Sequence, residues 1–455
     1  MEKQQLKRGL LPRHVQLLAL AGMIGTGIFK GSADTLHIAG PSVIFAYLLG
    51  GILLLIVMAA LAELAVVYPN LNIQHLMYKA FGFQISFVVG WLYWINWMIV
   101  TIVEILAAGS FLKYWFSTVP LWVLSLICAI FIVALNTFQV KYYGELEFWF
   151  AGIKITALIA FIVLGALVLF GFTSSSPEQP FSNYVSHGGF FPHGIKGILT
   201  GFLIVMFSYG GSELIGVAIT ETKDAEKVLP RVIKGVVWRV VIFYVLPILV
   251  ICGLIPWNQV SGTDSPFVQV FSAIGLPGAA HIMNFVLLTA VLSAANSGMY
   301  ATSRTLHAMS QNGEAHKIFS TLSKTGVPVF GILLNGVCLA AGVLLAYMTP
   351  DKVIGYLMSI PGFTVILLWI SICLAQLKLR PKYENMPFFR VRAFPYTTIS
   401  AIVCLSVIFI SFLFNKDNVI GSSVCVIILV TLTIMSIAQG KKSKHKSNLK
   451  ETLHG

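Results

Sequence analysis

Charge is what this sequence has least of. Only 10% of its 455 residues are charged, against roughly 25% in an ordinary soluble domain, while 57% are hydrophobic. Such a chain cannot cover a water-facing surface with charge, which excludes a soluble enzyme or a disordered regulator. Long polar loops are missing as well. Runs of about 20 apolar residues, enough to cross a ~30 Å hydrocarbon core, start near residues 14, 41, 84, 120, 143, 195, 230, 277, 327, 352, 393 and 420. No connection between them could hold a second folded unit. Residues 1–440 therefore read as one all-α membrane domain of twelve transmembrane helices, and 441–455 as a short, basic, disordered tail. Metal-ligand spacing is absent too: the ten histidines are scattered, which argues against a membrane metalloenzyme. All six cysteines fall within apolar spans, so no disulfide framework is indicated. The N-terminus lacks a small-residue cleavage site, and its first apolar run reads as a retained helix.

What charge there is lies unevenly. The net charge is +13, but the lysines and arginines alternate by loop. Twenty-three fall on one side, five on the other (Lys30, Lys113, Lys196, Lys352 and Lys416), and Lys154 and Arg239 lie inside helices. Basic loops stay in the cytoplasm, so both termini are expected there, in a multi-pass protein of the cell membrane. The basic excess is then an orientation signal and not a nucleic-acid surface.

Glycine is concentrated in two places. The first segment carries Gly22-Met23-Ile24-Gly25-Thr26-Gly27 at its middle, and the sixth carries Ser208-Tyr209-Gly210-Gly211. Each glycine inside a helix costs about 1 kcal/mol relative to alanine, so both helices are expected to break there; close helix packing is the alternative for either cluster alone. The two breaks are five segments apart, an odd offset, so the broken helices cross in opposite directions. That is the pattern of an inverted repeat of five plus five helices (about 14–172 and 195–378) with two further helices (about 393–440), and it points to a transporter site at the breaks.

A break at mid-membrane exposes backbone that only a cavity can accommodate. Amides opening the outward half of helix 1, near Gly25, Thr26 and Gly27, suit a carboxylate. Carbonyls near Met23, Ile24, Phe207 and Ser208 suit an ammonium, and amides follow Gly210 and Gly211. An α-amino acid is the simplest ligand with both ends.

Several stretches resemble bacterial amino acid permeases of the amino acid-polyamine-organocation superfamily: GLLPRHVQLLALAGMIGTGIFKGSADTLHIAGPS from Gly9, EILAAGSFLKYWF from Glu104, FAGIKITALIAFI from Phe150, FSYGGSELIGVAITET from Phe207 and SAANSGMYATSRTLHAMSQNGEAHKIFS from Ser293. The resemblance implies the broken-helix transporter fold, amino acid substrates and, in most relatives, proton symport. It matches Gly25, Thr26 and Gly27 to a carboxylate-binding turn, and puts Tyr209 where relatives carry an aromatic cap over the site. Without the resemblance, Tyr209 reads equally as a packed core aromatic.

Three ionisable residues lie deep in helices: Glu104, Lys154 and Glu213. Intramembrane charges are functional candidates by default. The resemblance supports Lys154 as a proton-coupling group; a structural cation and pure exchange are its alternatives. Glu213 either sits in the favourable dipole of the second half-helix or handles substrate or proton, and Glu221 beyond it reads as a gate or solvated residue. Glu104 either lines the site or bonds between helices, and Asn296 and Ser297 face the same choice. The expected function is import of an α-amino acid, neutral in side chain, by proton symport with alternating access. A cationic amino acid or polyamine transporter, or an exchanger, is the alternative, and a channel fits two inverted breaks less well. No cofactor or metal is called for, and the partners are the amino acid, the proton and the lipid bilayer. The stretch from Asn70, NLNIQHLMYKAFG, and His316 in place of a usual proline depart from the family pattern, both near the inner face.

Overall fold

The computed structural model describes residues 23–454 apart from 70, 138–139, 173–180, 215–232, 234, 261–264, 275–277, 349–352, 384–386, 388 and 415–418. Every regular element among the described residues is helical. The chain opens with the short helices α1 (Thr26–Phe29) and α2 (Gly31–Ala39), then α3 (Val43–Val67), α4 (Ile73–Phe81), α5 (Phe83–Lys113), α6 (Leu121–Asn136), α7 (Val140–Leu169) and α8 (Gly194–Tyr209). After α9 (Val236–Leu254) come α10 (Pro266–Ile274), α11 (Ala279–Gln311), α12 (Val329–Met348), α13 (Val353–Leu379), α14 (Tyr396–Leu413) and α15 (Val419–His454).

Among the described residues nine stretches are long and apolar enough to cross a membrane, the first running from Gly31 to Val67, and α6 and α8 are shorter apolar helices. All twelve expected segments overlap a described helix, the first and the sixth only in part. Of the first, the part up to Gly22 lies outside the described residues, as does the second half of the sixth, including Glu221. The long helices need no special propensity: α3 has Glu63 as its only charged residue in 25, and lipid-compatible side chains do the rest. Outward-facing side chains such as Phe172, Ile195 and Val337 are apolar and exposed, a surface that suits acyl chains and not water.

Two elements were not expected. The atypical stretch after α3 folds as the amphipathic helix α4, because Asn72 caps it by accepting the His75 amide at 3.0 Å and Gly82 ends it at φ +77°. The tail beyond residue 440, expected to be disordered, continues α15 as far as His454; its lysines favour a helix nearly as well as alanine does. His316, the other departure, caps a short turn by accepting the Ile318 amide at 3.3 Å.

At the centre α11 lies along α5, with α13 and α6 also against α5, while α8 packs on α2 and α3. Helices α14 and α15 sit outside, against α13, α3 and α5. The ends of α1 and α8 meet within this core. Helix α9 contains one π-helical turn, Val241–Val245, a widening of the backbone that in helices often marks a functional position.

Candidate functional site

A helix begins at one glycine cluster and another ends at the second. Gly25 is extended (φ −147°, ψ −151°) and α1 starts at the next residue. Helix α8 stops at Tyr209; Gly210 leaves it at ψ 144°, and Gly211 turns at φ +104°, a conformation only glycine takes without strain. The two interruptions touch. A Cβ on Gly27 would stand 2.5 Å from the Cα of Ser208, so glycine here is what lets the backbones meet.

The open backbone groups are satisfied by buried side chains from other helices. Thr26 donates through its amide to Glu104 Oε1 at 3.1 Å and through its hydroxyl to the same oxygen at 2.8 Å. A carboxylate thus occupies the start of α1, where free amides favour an anion. At the carbonyl ends, the Tyr244 hydroxyl from the π-helical turn donates to the carbonyl oxygens of Met23 and Ser208, at 2.5 and 2.7 Å. One donor therefore bridges the two breaks. Around it Tyr47, Tyr209 and Tyr244 form a buried cluster with ring centroids 4.8 to 6.0 Å apart.

Between the breaks is a cavity of about 20 Å³, lined by Gly25, Gly27, Trp97, Glu104, Phe207 and Ser208 among others. It has space for about one water and none for an amino acid. Admitting a ligand therefore requires the half-helices or Glu104 to move.

A second buried polar group lies against the first. Lys154 is fully buried on α7 and interacts electrostatically with Glu104 and with Glu147, seven residues before it on the same face. Glu147 accepts from Ser293 Oγ at 2.6 Å and Asn296 Nδ2 at 2.9 Å, while Asn136 Nδ2 donates to Asn296 Oδ1 at 2.7 Å. A continuous polar seam thus runs from α1 through α5, α7 and α11 to α6, with the carboxylates held by several donors, as buried charge requires.

The structure brings together Gly25, Gly27, Phe207, Ser208, Gly210 and Glu104 around the cavity, with Thr26 holding Glu104 from the side. Five expected residues stand elsewhere. Tyr209 does not cap the cavity: its side chain precedes the turn and is directed to α3, where its hydroxyl donates to the Tyr47 carbonyl at 2.6 Å. Asn296 is engaged by Glu147 and Asn136 and is not part of this cavity's wall. Glu213 folds back on its own break, accepting the Gly211 amide at 3.2 Å. Ile24 and Gly211 shape the breaks from behind; Ile24 is fully buried. Sequence reasoning missed Glu147 as a buried acid and missed Tyr244 altogether. Glu147 shares a helical face with Lys154, which was a usable signal; Tyr244 had none, because a tyrosine in an apolar span reads as core.

Comparison with known proteins shows what the chain is similar to. The amino acid permease family profile matches residues 14–451. The uncharacterized amino acid permease YvbW of Bacillus subtilis is 43% identical over 443 residues, covering 97% of this chain and 99% of the relative. The gamma-aminobutyric acid permease of the same organism is 39% identical, covering 90% and 88%. The aromatic amino acid transport protein AroP of Escherichia coli K12 is also 39% identical, covering 83% and 82%.

Proposed function

The chain belongs to the amino acid permease family, transporters and not enzymes, and from that premise we propose that it imports an α-amino acid with a neutral side chain across the cell membrane by proton symport. The observation that carries the reading is the hold of Thr26 on a carboxylate at the head of a half-helix. The carboxylate of an incoming amino acid takes that place, its ammonium takes the carbonyls near Met23 and Ser208, and Glu104 moves toward Lys154 or accepts a proton. Lys154 and Glu147 then couple substrate movement to the proton. The inverted five-plus-five repeat, with two further helices and both termini in the cytoplasm, accounts for the opposed breaks and the 23-to-5 division of basic loop residues.

The relatives' names give no single substrate, since one is named for γ-aminobutyric acid and another for aromatic amino acids. The apolar wall of Trp97, Val100, Phe207 and Val365 favours a neutral side chain. Buried Glu104 and Glu213 keep a cationic amino acid or polyamine, or exchange without a proton, as the second reading. Purified protein in liposomes, offered each of the twenty amino acids as competitor, identifies the substrate. With an imposed pH gradient the parent protein accumulates it, and Lys154→Met abolishes accumulation while leaving binding. Undiminished accumulation by that variant removes the coupling role.

A further inference from the structure

The cavity between the breaks has a second end that the seats for a carboxylate and an ammonium leave unused. On α5 its wall residues Asn96, Trp97, Val100 and Glu104 lie within one face, and Asn96 stands eight residues, or about 12 Å, from Glu104. Opposite them α13 contributes Pro361 and Val365, one turn apart. The stretch between Glu104 and Asn96 is thus flanked by Val100, Pro361, Val365 and the Trp97 ring, an apolar passage that ends on an amide.

Asn96 is 2% exposed. Its Oδ1 accepts from the Thr364 hydroxyl of α13 at 2.7 Å, and its Nδ2 donates to no described residue. The indole Nε1 of Trp97, the next residue, is also buried without a described hydrogen-bond partner. Buried donors left bare are costly and uncommon, and here two residues bordering one cavity carry them. Both donors are neutral, so the group they suit is a neutral acceptor, the oxygen of a hydroxyl or a carboxamide. Either group also donates, so turning the Asn96 amide over to present Oδ1 leaves the match intact.

We infer that this end of the cavity is a side-chain subsite in which Asn96 selects a neutral amino acid carrying an oxygen at the tip of a long side chain, as in tyrosine or glutamine. The inference rests on the transport reading for the carboxylate's seat at Thr26. From that seat, a hydrogen bond of about 2.8 Å at Asn96 leaves about 9 Å to span. Tyrosine covers about 9 Å from carboxylate to hydroxyl and glutamine about 7 Å to its amide, whereas serine covers only about 4 Å. Phenylalanine and norleucine fill the apolar passage but leave the donors bare, and that difference is what discriminates.

The test measures affinities of the purified full-length protein by titrating its thermal melting with L-tyrosine, L-phenylalanine, L-glutamine and L-norleucine. Tyrosine is expected to bind about tenfold more tightly than phenylalanine, and glutamine about tenfold more tightly than norleucine. Asn96→Leu is expected to remove both preferences while phenylalanine and norleucine still bind. Thr364→Val, which strips only the tie between α5 and α13, is expected to retain them. Equal affinity within either pair overturns the subsite, as do preferences that survive Asn96→Leu. Preferences that fall as far with Thr364→Val also overturn it, because Asn96 then only holds two helices together. Where Asn96→Leu does not fold, Asn96→Ser, too short to reach the tip, must lower both preferences. Uptake of the twenty amino acids into liposomes is scored separately: uptake without the preferences removes the subsite and keeps the transport reading, and the preferences without uptake of any amino acid do the reverse.

Discussion

Gly27 and Tyr244 act at one point from opposite directions. Gly27 lets two backbones touch, and Tyr244 ties them where they touch. Gly27→Ala puts a methyl within 2.5 Å of a main-chain carbon that cannot step aside; transport is expected to fall to background although the protein still inserts, as flux and surface labelling will report. Tyr244→Phe strips the only hydroxyl serving the Met23 and Ser208 carbonyls in the described structure. Leaving buried acceptors bare costs about 1 to 3 kcal/mol, so the variant is expected to melt several degrees lower in detergent, with no change in the side chain's packing volume to blame. Of these two residues only the glycine was legible in the sequence. A glycine run inside an apolar segment is itself the anomaly, whereas the tyrosine's role arises from a π-helical turn that no residue pattern announces.

At the scale of elements, α4 is the clearest case of a helix used as a clasp. Its Gln74 donates through Nε2 to Glu314, in the connection after α11, and also to the Ser86 carbonyl at 2.9 Å; Trp91 Nε1 donates to the Glu314 carbonyl at 3.3 Å. The start of α5 and the end of α11 are thereby held to one short helix. Burial pushes the Glu314 carboxyl up to about 7, against the pull of its bond from Gln74. The folded state then favours the protonated acid. Its contribution to stability is full below the ordinary carboxylate range and is lost as pH rises through about 7. Melting temperatures from about pH 5 to 8 are expected to fall for the parent protein more than for Glu314→Gln, and parallel curves would refute this. The sequence indicated a departure from the family here but not its form, because the amphipathic pattern of Ile73, Leu76, Met77 and Ala80 spans too few turns to stand out beside the long apolar runs.

For the whole molecule, composition and charge were enough to read the architecture in outline. Apolar run length locates helices because an open lipid-facing backbone is forbidden, and each expected segment overlaps a described helix for that reason. The site was legible to the same degree as its backbone. The breaks fall at the glycine clusters, since that is where helix propensity fails locally. What occupies them depends on which helices meet, and α5, α7, α9 and α11 are brought there only by the folded arrangement.

One consequence concerns affinity. On the proposed reading, with Glu104 resting on Thr26, an amino acid would not meet an empty receptor; it would enter by exchange, and its measured dissociation constant would be the intrinsic one weakened by the fraction of time the internal carboxylate is away. Glu104→Ala is therefore expected to bind substrate more tightly and move it more slowly, which equilibrium binding and flux on the same preparation will separate. A carrier has to let go on the far side of the membrane. On the same reading an occupant that returned to its seat after every cycle would evict the cargo, and release would then need no further partner.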